Sequence, residues 1–261
     1  MKSSIYYLFL FFVLLGCSSS EENTVTPKVM NVTTVASKTS VTVDEAFSVA
    51  ISSDAVIKSI GVTTDGSDPL NFTSSNFGTS TTLYFSFDTL GTKTIKVKVQ
   101  NEKDETVVKT IVINVERGTA VKITGLQVKS FYNKDKTWDP EFAATDNNRL
   151  ADVFFGIGKL KVKDPFSSSP SLMGAWYRSA TKENQGDLTW DLAAANLYVN
   201  PSSNLYFSLV DQDGQVGQDL LLGSPDYRTF SFSSFAANKT KTITYTFADI
   251  NLEFTFTVEW P

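Results

Sequence analysis

The densest run of chemistry-bearing residues is Asp211-Gln212-Asp213-Gly214-Gln215-Val216-Gly217-Gln218-Asp219, which holds three aspartates and no lysine or arginine. Carboxylates this close repel one another by about a kcal/mol or more per pair, so a hard divalent cation is a natural guest. Asp, Asn and Gly are also ordinary turn residues, because their side chains satisfy nearby backbone groups, and for any single aspartate the turn reading is the stronger one. A second pair changes the balance: Asp146 and Asp152 lie six positions apart and lead into the apolar run Val153-Phe154-Phe155-Gly156-Ile157. Asp139, a little upstream, can take the place of Asp146 or join it. The chain has no histidine and a single cysteine, Cys17. Imidazole bases and ligands, disulfides and thiolate clusters are thereby excluded from the folded part, and Ser-His-Asp catalysis with them. No carboxylate pair is marked as flanking a cleft for glycoside hydrolysis. The sequence predicts a binding protein and not an enzyme.

Those residues need a scaffold. Leu205 to Val210 alternates into the acidic run and Leu220-Leu221-Leu222-Gly223 leaves it, which predicts a loop between two strands at one end of a sandwich. Phe 20 and Tyr 9 against Met 3 favour pleated, half-buried surfaces, and no segment sustains a helical apolar period, so an all-β chain with very little helix is expected. Residues 28–117 read as one β-sandwich of short alternating strands, such as Phe47 to Ile51, Leu83 to Phe87, Thr94 to Val99 and Val107 to Val115. Glu116-Arg117-Gly118-Thr119 is a polar break, and residues 119–261 read as a second β-sandwich, with strand signals at Val121 to Val128, Val153 to Val162, Thr240 to Phe247 and Leu252 to Trp260. A formal net charge of -5 and a pI near 4.9 argue against nucleic acid as a partner.

Two resemblances add to this reading. Phe87-Asp88-Thr89-Leu90-Gly91 followed by Thr94 to Val99 resembles the end of an immunoglobulin-like PKD domain, over about a third of the first sandwich, and the default role of such a domain is a spacer. In the second sandwich, an EF-hand is ruled out, because counting from Asp211 the sixth and twelfth positions are Val216 and Leu222 where that loop needs Gly and Glu. Strand, Asp-x-Asp, five residues, Asp and a short apolar run instead resembles the third calcium loop of C2 domains of the synaptotagmin type. Asp152-Val153-Phe154-Phe155 is similar to the Asp-Pro-Tyr-Val that follows the family's first loop, although proline is missing. The likeness spans about residues 120 to 261. It implies Asp146, Asp152, Asp211, Asp213 and Asp219 as ligands, with Asp139 open as the alternative first-loop ligand because that loop is longer than in the family. It further implies Ca²⁺ binding of modest affinity, roughly 10⁻⁴–10⁻³ M as in extracellular modules, and Ca²⁺-dependent attachment to phospholipid, glycan or protein. Trp138, Phe142 and Val216 fall on the same loops, where packing roles are the stronger reading. Lys159, Lys161 and Lys163 alternate along one strand in the place of the family's basic patch, a pattern that is most often a solvated sheet face. A structural or adhesive surface protein with no functional metal site is the alternative.

The amino terminus carries an address. Lys2 precedes the apolar run Ile5 to Leu15, which is far shorter than the roughly 20 residues of a membrane-spanning helix, and Leu14-Leu15-Gly16-Cys17 closes it. The stretch resembles the bacterial lipobox, which implies a signal peptide over residues 1–16 and a lipidated Cys17 anchoring the chain to a membrane. Residues 17–27 read as a flexible tether, and Glu21-Glu22 is similar to the export signal that places Bacteroidetes lipoproteins on the outer face of the outer membrane.

Overall fold

A computed structural model describes residues 30–65, 70–73, 77–162, 164–172, 176–214, 216–223 and 225–261. Cys17, the signal peptide, the tether and Lys163 lie outside the described residues. The architecture is all-β, with only short 3₁₀ turns among the described residues.

Two pairs of sheets form. In the amino-terminal pair, β1 (Val32–Ala36), β3 (Phe47–Ser53) and β6 (Ser80–Phe85) make one sheet. The facing sheet has β2 (Ser40–Thr42), β8 (Thr106–Glu116), β7 (Gly91–Asn101), β4 (Ile57–Thr64) and β5 (Leu70–Thr73), in that order. All pairings are antiparallel except β2 with β8. The alternation seen in the sequence is the cause: in β7, Ile95, Val97 and Val99 face inward while Lys96 and Lys98 face water. Burying each such aliphatic side chain contributes about 1.5–3 kcal/mol.

The carboxy-terminal pair is built around two long antiparallel pairings between strands remote in sequence, one in each sheet. One sheet runs β13 (Thr189–Asp191), β9 (Val121–Ser130), β19 (Leu252–Glu259), β18 (Thr242–Phe247), with β14 (Leu197–Val199) also on β9. The other runs β11 (Ser171–Leu172), β10 (Val153–Lys161), β15 (Leu205–Asp213), β16 (Val216–Asp219), with β12 (Tyr177–Arg178) on β10 and β17 (Arg228–Phe230) on β15. An aromatic layer closes the core, with Phe207 stacked on Phe254 at 4.1 Å between centroids and Phe230 on Phe256 at 5.1 Å.

The two pairs meet end to end. Gly118 makes the turn between them with φ of +55°, and a Cβ there would lie 2.5 Å from the Thr42 side chain, so only glycine fits. Arg117 grips Glu259 through its carboxylate at 2.9 Å and its backbone carbonyl at 2.6 Å. At the centre of the junction sits Lys159, 0% exposed. Its ammonium is 2.6 Å from Asp44 Oδ1, 3.9 Å from Asp88 and 3.9 Å above the Trp176 ring. Lys161 pairs with Asp88, which also accepts from Trp176 Nε1 at 2.8 Å. The solvated lysine face expected from the sequence is therefore corrected at Lys159: carboxylates of the first sandwich cover it, a partnership that alternation along one strand does not reveal. Burial pulls the Lys159 ammonium below the usual lysine value, and Asp44 and Asp88 oppose that pull.

Candidate metal centre

The acidic residues occupy the opposite end of the second sandwich. Strand β15 alternates strictly, with Leu205, Phe207 and Leu209 facing the core, and the same period puts Asp211 and then Asp213 on that side. Asp211 is thus a core-facing residue at the mouth of the core, where hydrophobic filling gives out. The strand continues through Asp213, which pairs with Val216 across a tight turn containing Gly214 at φ of +60°. The expected loop is a hairpin, because glycine after an aspartate supplies the left-handed residue such a turn needs.

Asp139 comes to this point from the long connection between β9 and β10. That connection folds around Arg149, whose backbone carbonyl accepts from Trp138 N at 2.8 Å and Asp139 N at 3.2 Å. The Arg149 guanidinium in turn holds the Ala144 carbonyl at 2.7 Å and the Asp135 carbonyl at 3.4 Å. Trp138 packs against the core and donates Nε1–H to the Asn133 carbonyl at 3.1 Å, which fixes the residue next to Asp139.

One carboxylate oxygen from each of Asp139, Asp211 and Asp213 lies within 4.8 Å of the other two. Two oxygens on one Ca²⁺, each at roughly 2.4 Å, are at most about 4.8 Å apart, so the spacing suits a shared ion. Asp211 is 0% exposed. Its Oδ1 accepts the Asp152 N–H at 2.6 Å, but its Oδ2 is buried without any hydrogen-bond partner. Among the described residues no lysine or arginine pairs with any of the three. The electrostatic consequence is plain. Burial, reinforced by Asp213 and Asp152, pushes the Asp211 carboxyl up to about 6 against the restraint of the Asp152 N–H. Burial, contact with Asp213 and the charges of Asp211, Asp213 and Glu141 push Asp139 to about 6 as well.

The other sequence-predicted residues serve the backbone. Asp146 caps a 3₁₀ turn, accepting from Asn148 N at 2.9 Å. Asp219 accepts from Leu221 N at 2.8 Å and Gly223 N at 2.9 Å. Asp152 sits between the two groups: its carboxylate accepts from Asn184 N at 2.8 Å, while its carbonyl accepts from Gln212 N at 2.9 Å and its N–H reaches Asp211. The 146–152 and 211–219 segments therefore converge at Asp152. Phe142 and Val216 are exposed beside the triad, and Val216 is 69% exposed at the hairpin tip.

Compared with protein-family models, the chain matches none, and it matches none of the curated proteins. The chemistry of the site therefore rests on its own geometry. Three converging carboxylates, one of them buried with a free oxygen, make an all-oxygen donor set suited to a hard cation such as Ca²⁺ and unsuited to soft metals.

Proposed function

We propose that this chain is a lipid-anchored surface protein whose second sandwich binds Ca²⁺ through Asp139, Asp211 and Asp213 and uses the ion to dock a ligand. The orphaned, buried Oδ2 of Asp211 carries this reading. Leaving a buried carboxylate oxygen unmade costs about 1–3 kcal/mol or more, and a divalent ion removes that cost while neutralising the repulsion with Asp139 and Asp213. Three protein oxygens fall short of the roughly six to eight that Ca²⁺ takes, so the ion keeps outward positions for a ligand. Membrane attachment comes from acylated Cys17, with the outer face of the outer membrane as the location. Nothing in this role calls for catalysis.

A second reading is a structural surface protein without a functional metal, favoured by Asp146, which caps a turn through one oxygen, and Asp219, which does so through both. Calorimetric Ca²⁺ titration of the chain from Ser18 onward separates the two. The wild type should show saturable binding and a raised melting temperature, and Asp211→Asn with Asp213→Asn should lose both. Equal Ca²⁺ binding by that double variant would remove the assignment.

A further inference from the structure

The place of the triad in the whole molecule constrains what it meets. In the first sandwich, Asn31, Asp54, Gly78 and Asn101 share one end, tied by Asn31 N to Asp54 Oδ1 at 2.9 Å and Ile57 N to Gly78 O at 2.8 Å. Met30, the first described residue, lies at that end. The opposite end, with Asp44 and Asp88, is the junction with Lys159. In the second sandwich β10 runs from Val153 to the Lys159 junction and β15 runs back to Asp211, which pairs with Val153. The chain entry and the triad thus occupy opposite poles. The buried Lys159 network joins the two sandwiches.

Near the triad lies a groove of about 660 Å³ whose lining includes Tyr132, Asn133, Trp138, Gln218, Asp219 and Leu222. Two of its lining residues neighbour the ion site: Trp138 precedes Asp139, and Gln218 pairs with Asp211 across β15 and β16. No lysine or arginine lines it. Its chemistry is an exposed phenol ring, an indole, two carboxamides, a hydroxyl and the Asp219 carboxylate, near the triad carboxylates, which repel anions until an ion covers them. Anionic head groups and acidic peptides find no cationic side chain in such a lining. A sugar ring does fit, with its C–H face against an aromatic ring and its hydroxyls toward amides and metal, and the volume suits a small ligand.

We propose that this groove takes an uncharged glycan, with two adjacent sugar hydroxyls completing the shell of the triad-bound Ca²⁺ and the ring resting on Tyr132, at the pole facing away from the protein's own anchored end. The inference rests on the cation reading of the triad. Its test uses the chain from Ser18 onward in native affinity gels containing mannan or dextran, which between them offer cis and trans vicinal hydroxyls. The Ca²⁺ isotherm is recorded on the same samples, with phosphatidylserine/phosphatidylcholine vesicles as the competing probe. Retardation by one of the polysaccharides in millimolar Ca²⁺, abolished by EDTA, is the expected result. Tyr132→Ala should weaken it about tenfold while leaving the Ca²⁺ isotherm intact. A normal isotherm with no retardation in either gel overturns the glycan and leaves the ion site standing. Ca²⁺-dependent sedimentation with the vesicles, or retardation indifferent to Tyr132→Ala, overturns it too. Absence of the isotherm itself removes the ion site, and this inference with it.

Discussion

The sheet of β10 and β15 buries two charges at opposite ends, and they are treated in opposite ways. Lys159 at the junction is surrounded: two carboxylates, one of them at 2.6 Å, and an indole face take up its charge. Asp211 at the free end keeps one oxygen paired and one bare. Both cost free energy to desolvate, by several kcal/mol per ion. One cost is offset within the chain, while the bare oxygen of the other finds no hydrogen-bond partner among the described residues. Among the described residues Gln185 Nε2 is the one other buried side-chain atom left without a partner. The contrast sets a buried charge with partners at Lys159 against one with a bare oxygen at Asp211, and that bare oxygen is what the proposed cation would take up.

The comparison yields effects of opposite sign. Asp44→Ala leaves the buried ammonium of Lys159 with the Asp88 carboxylate alone, at 3.9 Å, and also removes the acceptor of Asn200 N, so it should cost about 3–5 kcal/mol of stability, read from urea denaturation, with the Ca²⁺ isotherm of the folded protein unchanged. A loss below 1 kcal/mol would show the junction to be solvated and the contrast unfounded. Asp211→Asn removes an unpaired charge yet keeps an oxygen for the Asp152 N–H. Without Ca²⁺ at pH 7 it should therefore stabilise by about 1–2 kcal/mol while ending Ca²⁺ binding. Destabilisation of the metal-free protein would mean that the carboxylate already has a partner.

Titration sharpens the same point. Asp139 and Asp211 ionise near 6 in the fold, above the ordinary carboxyl value of 3.8. Protonation therefore favours the fold, and the stability it supplies is full below about 4 and lost as pH rises through about 6. The metal-free melting temperature should decline across that window. Ca²⁺ stabilisation should run the other way, strong above pH 6 and fading below it as protons displace the ion. Parallel curves with and without Ca²⁺ would detach the ion from these two groups. The smallest effect is expected at the caps: Asp146→Ala and Asp219→Ala should each cost about 1 kcal/mol and leave Ca²⁺ affinity near wild type. A large loss of affinity in either would enlarge the ligand set toward the five aspartates that the C2 resemblance implies.

Much of this was legible in the chain. Alternation of Leu205, Phe207 and Leu209 marks the strand, because side chains on a strand repeat every two residues, but the acidic run after Val210 reads as a loop, and that Asp211 continues the strand on its core-facing side emerged only in the structure. The acidic density of residues 211–219 and the absence of histidine and of any cysteine beyond Cys17 narrowed the chemistry to oxygen ligands. Local pattern has no access to which aspartates meet. Asp139 is distant in sequence from Asp211, and its arrival depends on a loop wound around Arg149. Asp146 and Asp219, equally suited by spacing, are drawn to backbone N–H groups one turn away. The fate of Lys159 was hidden for the same reason, since its counter-charges belong to the other sandwich.

The sequence by itself determined that the chain is made of strands, which side of each faces inward, and that any metal would be held by carboxylates. These follow from residue type and period, which are local. Tertiary packing alone decided which charges share a space and whether each finds a partner there. Pairing energies depend on distance and on the exclusion of water, and both are set only when segments remote in sequence close on one another.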